Sequence, residues 1–257
     1  MGYNIYLLLR VNDFSSLKNQ QDRDNAVISL DTTADMFFEA LRLLDDCLSP
    51  TISFENVALF ANSIECQLLL TGLVQRGYTV HKTVLNAADF NGYTNRKRCY
   101  IFASTLPAPF SWPTPVPRTV HAWNDVLRSN LDQLKRIKST STIEKAVEST
   151  RERFTYPGID IFPTLTKSQF RYTKDSVYVV LDGEYYVPSV QLMMELMGIN
   201  DFDLSFTSLE ELRAEIIGQS VEVPMHRSIS AQHKAHLLHY HQQHRPIKSP
   251  SVQLPLW

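Results

Sequence analysis

The chain has 257 residues, of which 44% are hydrophobic and 11% aromatic, so it can bury a core in one large or two modest domains and is not a disordered chain. Its 25 Lys and Arg residues nearly balance 27 Asp and Glu residues, and the net charge of −2 indicates no particular partner. Residues 91–175 differ, because they hold 14 basic and 7 acidic side chains. This local surplus favours phosphate contact in the middle third of the chain.

The cysteines and the first residues indicate the compartment. Cys47, Cys66 and Cys99 include no C-x-x-C pair, so neither a disulfide framework nor a zinc site is predicted, and all three are interpreted as small core residues. The apolar run at residues 5–9 is too short for a signal peptide or a membrane span. We therefore expect a cytoplasmic protein without membrane contact.

The first 105 residues alternate between apolar runs and amphipathic segments. Strands are predicted at residues 3–9, 51–57, 78–85 and 98–103. Helices are predicted from residue 31 to Pro50, and from Ser63, an expected cap, to Gly77. Strands separated by helices of about a dozen residues predict a βαβ sheet.

Five prolines within residues 107–117 predict a linker, because proline fixes φ and lacks a hydrogen-bond donor. Beyond it, helices are predicted at residues 123–137 and 142–153, and a hairpin at Asp182-Gly183. Ser208-x-x-Glu211 predicts a capping box that opens a helix ending at Gly218.

A last helix is predicted from residue 223 to His241 and carries a histidine cluster. The spacings i, i+3 and i+5 within this cluster can place two imidazoles on one helix face; its members are His233, His236, His239, His241 and His244. No carboxylate or cysteine lies nearby at ligand spacing, so we interpret the cluster as a solvated polar face and predict no metal site.

Residues 84–104, VLNAADFNGYTNRKRCYIFAS, resemble a segment of the DNA cytosine-5 methyltransferase family: a strand, an Asn-Ala turn, a loop ending in Arg-x-Arg, and an apolar strand. Arg96 and Arg98 match the two arginines of that loop, which in the family hold a flipped cytosine and its phosphate. Glu55-Asn56-Val57 matches the family's Glu-Asn-Val, whose Glu protonates the cytosine ring at N3. Without that resemblance, a helix-capping Glu-Asn pair would be the commoner interpretation.

The resemblance continues upstream through residues 35–57 and resumes at residues 192–221, so it spans most of residues 13–230. Residues 162–166 resemble the Thr-Leu element of the family's target-recognition domain, and residues 218–221 resemble its closing Gly-Asn-(Ser/Ala)-Val turn. The resemblance implies catalytic roles for Glu55 and Arg98. It implies DNA contacts from Asn56, Arg96, Arg98, Thr164, Thr166, Lys167 and Gln219.

The departures from the family are equally informative. Val11 occupies the place of the family's nucleophilic cysteine, and Thr94 replaces a Gln in the arginine loop. The glycine-rich turn that holds S-adenosylmethionine has no counterpart, so we expect this chain to bind no cofactor alone and S-adenosylmethionine only at a site that a partner supplies.

The resemblance implies an α/β fold in which a partial Rossmann-like methyltransferase sheet precedes a smaller target-recognition-type domain. The predicted divisions are a catalytic-type half (1–105), a linker (106–118), a recognition-type domain (119–205), helices that return to the large domain (206–245) and a tail (246–257). We expect a bacterial or phage nucleoid-associated protein.

The tail ends in Gln253, Leu254, Pro255, Leu256 and Trp257. It resembles the short peptide with which bacterial replication and repair proteins dock on the DNA sliding clamp. Folding back onto its own domain is the alternative.

Two hypotheses on function remain open. In the first, the chain is the DNA-binding subunit of a two-subunit DNA cytosine-5 methyltransferase, and its partner brings the missing N-terminal motifs. In the second, it is a pseudo-methyltransferase that acts as a DNA-binding or clamp-associated adaptor. Survival of Glu55 and both arginines favours the first, and Val11 favours the second.

Overall fold

The computed structural model describes residues 4–8, 35–47, 49–138, 140–147, 153–173 and 175–244. Val11, the predicted helix start at residue 31 and the tail residues Gln253, Leu254, Leu256 and Trp257 lie outside these ranges. No helix of the described residues is long and apolar enough to span a bilayer.

The strands are β1 (Asn4–Leu8), β2 (Thr51–Val57), β3 (Thr79–Asn86), β4 (Lys97–Ser104), β5 (Leu134–Ile137), β6 (Phe154–Thr155), β7 (Tyr178–Leu181) and β8 (Glu184–Pro188). The α-helices are α1 (Asp35–Cys47), α2 (Ile64–Gln75), α3 (Ser141–Val147), α4 (Val190–Leu196), α5 (Glu210–Gln219) and α6 (Val223–Gln243). Shorter helical turns lie at Ala58–Asn62, Ala87–Phe90, Ala122–Leu127, Leu131–Gln133 and Gln169–Arg171.

The first sheet has the strand order β1, β2, β4, β3. β1 runs parallel to β2, whereas β4 is antiparallel to both of its neighbours. The expected βαβ pattern therefore ends before β4. Only the ten residues 87–96 connect β3 to β4, and an antiparallel pair needs no longer connection, whereas a parallel pair needs a crossover.

Helices cover both faces of this sheet, because alternate side chains of its inner strands point in opposite directions. On one face, Ile52 and Ile101 belong to a buried cluster with residues of α1 and α2. On the other face, Tyr100 packs with Met225 and Ile229 of α6. The sheet is thus the middle layer of an α/β arrangement.

Local signals predicted the ends of α2 correctly. The Ser63 hydroxyl accepts a hydrogen bond from the Cys66 N–H at 3.1 Å and caps the helix. Gly77 follows the helix with a φ of 84°, a left-handed conformation that glycine adopts without strain.

The second sheet has the order β5, β8, β7, β6 and lies beside α4 and α5. Its predicted hairpin is confirmed, because Asp182 and Gly183 connect β7 to β8 with φ angles of 49° and 79°. Ile217 of α5 is buried in the core of this unit, whereas α6 returns to the first sheet. The divisions proposed from the sequence stay predictions.

The predicted helix at residues 123–137 is wrong. A π-helical turn, Ala122–Leu127, and a 3-10 turn come first, and Leu134–Ile137 is a strand that pairs antiparallel with β8. The Asn130 side chain donates to the Val126 carbonyl at 2.8 Å, which favours a turn over a continued helix. Leu134 and Ile137 are spaced three apart, so their pattern fits a helix until the pairing with β8 overrides it.

The predicted capping box is also wrong, because the N-cap of α5 is Leu209, which has no side-chain cap bond. The Thr207 hydroxyl accepts the Leu209 N–H at 3.2 Å instead. Residues 106–118 contain neither helix nor strand, as their prolines require.

Candidate functional site

Glu55 and Arg98 form an ion pair where β2 ends and β4 begins. Glu55 lies opposite Tyr100 in the β2–β4 register and Arg98 is two residues from Tyr100 on β4, so the side chains of Glu55, Arg98 and Tyr100 share the α6 face of the sheet. Arg98 Nε lies 3.0 Å from Glu55 Oε1, and the side chains of Arg98 and Glu55 are 15% and 16% exposed respectively. The pair is therefore shielded from bulk solvent yet reachable from it, which strengthens its electrostatic attraction relative to a fully exposed pair.

Asn56 points to the opposite face and is 5% exposed. Its Oδ1 accepts a hydrogen bond from the Val57 N–H at 2.7 Å. This position supports a role in ending β2 and does not support the predicted DNA contact.

Arg96 lies only two residues from Arg98 but is 2% exposed. Its Nη1 donates to the Leu165 carbonyl at 3.1 Å, and its Nη2 donates to the carbonyls of Gly218 and Ser220 at 3.2 and 2.8 Å. Burial, and next the charge of Arg98, lower the pKa of Arg96 to about 9. The predicted phosphate contact is not supported by this position, and we assign Arg96 to the fold.

Arg96 is thus the point at which three segments matched separately in the sequence come together. Phe162 exchanges backbone hydrogen bonds with the arginine loop, and the Thr164 hydroxyl donates to the Asn95 carbonyl. A Cβ on Gly218 would lie 2.3 Å from the Thr166 carbonyl oxygen, so only glycine allows this approach.

The other predicted DNA contacts lie around this junction. Thr166 is buried, with its Oγ1 3.3 Å from Ser168 Oγ, whereas Lys167 is exposed. Gln219 is half-buried and donates to Glu215 Oε1 at 2.7 Å. The DNA contacts of Thr164, Thr166, Lys167 and Gln219 stay predictions.

Glu222 is a buried carboxylate that the sequence analysis missed. Thr94 donates to it twice, from its N–H at 3.3 Å and from its hydroxyl at 2.5 Å. A Cβ on Gly92 would lie 2.1 Å from Glu222 Oε1, so the missing side chain of Gly92 makes room for the carboxylate. We call Gly92, Thr94 and Glu222 the carboxylate cradle. The sequence feature that could have indicated burial of Glu222 is its position between two apolar residues, Val221 and Val223.

Tyr100 places a buried hydroxyl beside these groups. Among the described residues the hydroxyl has no hydrogen-bond partner, and the side chain is 3% exposed. Burial, followed by the charge of Glu55, raises its pKa. The hydroxyl therefore stays protonated and offers a donor next to the ion pair.

The interpretation of the histidine cluster as a solvated face is wrong for His233 and His236, which are 3% and 2% exposed. The His233 ring stacks on Phe102 at 4.5 Å, while His236 Nε2 lies 2.8 Å from Ser104 Oγ. Residues 233 and 236 are three apart on α6 and both point at the sheet. The described residues contain no cluster that would hold a metal ion.

Two of the three cysteines are buried and one is exposed. Cys66 and Cys99 are buried between α2 and the sheet as expected. Cys47 is exposed at the end of α1, which corrects its interpretation as a core residue, because the helix presents that position to solvent.

Comparison with solved structures identifies the class of this fold. The Entamoeba histolytica methyltransferase EhMeth is 13% identical with a TM-score of 0.67, over 95% of this chain and 78% of that one. The S. pombe Dnmt2 methyltransferase is 16% identical with a TM-score of 0.66, over 91% and 78%. A DNA modification methyltransferase encoded within an E. coli prophage is 15% identical with a TM-score of 0.55, over 82% and 76%. The chain therefore has a methyltransferase-type α/β fold, which confirms the predicted fold class.

The family follows from a sequence model. The model of the C-5 cytosine-specific DNA methylase family matches residues 12–182, and the chain belongs to that family. No curated protein is significantly similar in sequence. A separate recognition domain stays a prediction.

Family membership implies S-adenosylmethionine as the methyl donor, and a site for it needs glycines that let the backbone approach the cofactor closely. Three described glycines have no room for a side chain. An added Cβ would overlap Leu41 at Gly72, Glu222 at Gly92 and Thr166 at Gly218, so the space beside each of these glycines is filled by the chain itself. Among the described residues, the remaining glycines occupy positive-φ turns, and their positions do not form the glycine-rich turn that the cofactor requires. The described residues do not fit S-adenosylmethionine.

Proposed function

We propose that this chain is the DNA-binding, catalytically incomplete subunit of a two-subunit DNA cytosine-5 methyltransferase. It supplies the groups that hold the target cytosine. Another polypeptide supplies the S-adenosylmethionine site and the nucleophilic cysteine. The observation that carries the proposal is the Glu55–Arg98 pair at the end of β2.

The chemistry of the pair suits a cytosine that has been turned out of the duplex. A protonated Glu55 carboxyl donates a hydrogen bond to ring N3, and the Arg98 guanidinium donates to the ring carbonyl or to the adjoining phosphate. Both side chains are about 15% exposed, so a base that reaches them leaves water and meets strengthened hydrogen bonds. Turning out the base costs a few kcal/mol, which these contacts offset.

The proposal that this subunit is catalytically incomplete rests on Val11 and on the positions of the glycines. C5 of cytosine becomes nucleophilic only after a thiolate adds at C6, and a valine at the family's cysteine position has no lone pair with which to add. Because the described residues do not fit the cofactor, no step is assigned to it in this chain.

DNA contact is proposed to come from basic side chains of the middle third that are not already paired. Arg136 lies 2.6 Å from Glu184 and Arg171 lies 3.4 Å from Glu215, so part of the positive surplus is neutralised locally. Among the described residues, the exposed basic side chains that remain for phosphate contact include Lys97, Arg128 and Lys138.

The test measures affinity for duplexes that carry one cytosine opposite an abasic site, compared with thymine at the same place. An unpaired base turns out more easily than a paired one, so the cytosine duplex should bind tighter than its fully paired equivalent. Glu55→Gln should reduce the preference for cytosine over thymine by about tenfold, because the Gln amide can either donate to cytosine N3 or accept from thymine N3–H, and one hydrogen bond is worth about 1 to 1.5 kcal/mol. Equal binding of all duplexes by both proteins would reject the base-binding role.

The partner is tested by purifying the tagged chain from its native host and assaying the copurified material. The complex should transfer labelled methyl groups to cytosine, and the isolated chain should not. Methyl transfer by the isolated chain, or micromolar binding of S-adenosylmethionine to it, would contradict the proposal.

The second candidate is a pseudo-methyltransferase that acts as a DNA-binding or sliding-clamp-associated adaptor, which Val11 and the resemblance of residues 253–257 to a clamp peptide favour. Deleting those five residues would then abolish clamp binding without lowering the melting temperature. A loss of thermal stability on deletion would instead assign the tail to the protein's own core.

A further inference from the structure

The carboxylate cradle includes part of the loop that leads into β4, the strand that carries Arg98. Glu222 precedes α6 and accepts both the backbone N–H and the hydroxyl of Thr94. Thr94 is fully buried, and the same residue forms a bridge with Phe162 on the other side. The loop is therefore fixed at Thr94 by two elements that are distant in sequence.

The fit between the members of the cradle is steric as well as polar. A side chain on Gly92 would overlap the Glu222 carboxylate, and the Ala87 carbonyl would lie 2.7 Å from the same added Cβ. Thr94, which stands where the resembling family has Gln, holds the carboxylate with a short hydroxyl-bearing side chain. The three residues thus form one mutually dependent unit.

Two further residues connect this unit to the ion pair. Arg96 is held by three carbonyls, and Arg98 follows it at the start of β4, where its Nη1 donates to the Lys97 carbonyl at 2.8 Å. With Thr94 and Arg96 both fixed, the remaining freedom of Arg98 lies in its side chain, which points at Glu55. Releasing Thr94 would free the backbone from which Arg98 projects.

We propose that Glu222 is a positioning residue: through Thr94 it sets the geometry in which Arg98 meets Glu55, and its protonation state alters that geometry. The inference rests on the proposed function for its biological meaning, because Arg98 is there assigned to the target cytosine. The contacts among Glu222, Thr94, Arg98 and Glu55 do not depend on the proposed function.

The electrostatic surroundings of Glu222 place its titration near neutrality. Burial raises the pKa of Glu222 to about 7, against the opposing effects of the Thr94 hydrogen bonds and of the Arg96 and Arg98 charges. The ionisable and charged groups that face it or adjoin the cradle are Arg96, Arg98 and Tyr100 from the loop and β4, Glu55 from β2, Arg118 from the linker, which donates to the Gly92 carbonyl, and His226 from α6.

The experiment follows the Nε–H resonance of Arg98 in protein labelled with 15N-arginine, assigned by its loss in Arg98→Lys. In the wild-type chain this resonance should shift with pH with a midpoint near 7. Glu222→Gln, which keeps a hydrogen-bonding side chain of the same size, should hold the resonance in place and abolish the inflection. Glu215→Gln, a matched change on α5 away from the cradle, should keep the wild-type titration.

Removing the contact should release Arg98. In Glu222→Ala, exchange of the Arg98 Nε–H with solvent should accelerate by about tenfold, and Glu222→Gln should restore slow exchange. Thr94→Val removes only the hydroxyl and should give a smaller acceleration, and it carries the test if Glu222→Ala does not fold. Unchanged Arg98 exchange in the folded variants, or persistence of the titration in Glu222→Gln, would overturn the proposal.

DNA affinity measured on the same variants separates this inference from the proposed function. If Arg98 responds to Glu222 while neither Arg98 nor Glu55 affects DNA binding, the positioning role stands and the base-binding role fails. If DNA binding requires Arg98 but its resonance ignores Glu222, the base-binding role stands and the positioning role fails.

Discussion

The interface between α6 and the first sheet has two ends that bury ionisable groups in different ways. At the arginine end, around Arg96 and Glu222, the buried groups are charged or titrate near neutrality and are held by carbonyls and by Thr94. At the imidazole end, around His233 and His236, burial keeps the His233 ring neutral, and aromatic rings and hydroxyls surround both histidines.

The two ends differ in the number of partners that their buried groups need. A buried charge needs several specific partners, so the arginine end depends on segments that are up to 128 residues apart in sequence. A neutral imidazole needs fewer partners and packs like an aromatic ring against Phe102. The arginine end therefore gives precise placement next to the candidate site, while the imidazole end attaches the helix.

The largest expected effect comes from breaking the arginine end at Arg96. Arg96→Ala leaves three carbonyls without their donor and a cavity in the core, and should lower the free energy of unfolding by about 3 to 5 kcal/mol. Urea denaturation followed by circular dichroism measures the loss. Arg98→Ala is the matched control and should cost about 1 kcal/mol, because its side chain is partly exposed. Equal losses for the two arginines would contradict the separation of fold and site.

The second prediction concerns acid and the imidazole end. Burial, and then the charges of His226 and His236, lower the pKa of His233 from 6.5 to about 4. Protonation therefore favours the unfolded chain, so this contribution to stability is complete above pH 6.5 and is lost as the pH falls toward 4. It amounts to about 3 kcal/mol. His233→Phe, which keeps a ring on Phe102, should remove most of this acid loss.

Its control is His241→Gln on the exposed side of α6, which should leave the acid dependence unchanged. Chemical denaturation at several pH values between 4 and 7 distinguishes the two variants. An acid loss of wild-type size in His233→Phe would assign the effect to another group.

The third prediction has the opposite sign and concerns Glu222. Its pKa is raised from 4.5 to about 7, so its contribution to stability is complete below pH 4.5 and is lost as the pH rises through 7. The loss is up to about 3 kcal/mol. Glu222→Gln does not ionise and should be more stable than the wild type at pH 8, with little difference at pH 4.5, as measured by urea denaturation. Equal stability of the two proteins at pH 8 would show that Thr94 and the arginines offset the burial completely.

The two pH effects oppose each other between pH 4.5 and 6.5, so the wild-type chain should show a flatter pH profile than either variant. A carboxylate that costs stability at neutral pH is retained more readily where it serves a site than where it serves only the fold. This agrees with the positioning role proposed for Glu222.

The fold class and part of the site were predictable from sequence. Apolar runs located the strands of the first sheet, and Ser63 and Gly77 located the ends of α2. The resemblance identified Glu55 and Arg98, which the structure places 3.0 Å apart. Burial of Arg96 and Glu222 was not predictable, because a charged residue in a local pattern looks the same at the surface and in the core. β5 was missed because its strand conformation depends on β8, about fifty residues away, rather than on its own residues.

The smallest expected effect sharpens the assignment of the two arginines to different roles. A phosphate contact contributes about 0.9 to the slope of log affinity against log salt for duplex DNA. If Arg98 makes one such contact, Arg98→Ala should lower the slope by about one, measured by fluorescence anisotropy between 50 and 200 mM salt, roughly the range over which this effect is large. Lys234→Ala, an exposed change on α6 outside the basic third, should leave the slope unchanged. Because Arg96 is buried on three carbonyls, a folded Arg96 variant should also keep the wild-type slope. An unchanged slope in Arg98→Ala would assign Arg98 to the fold or to a partner interface.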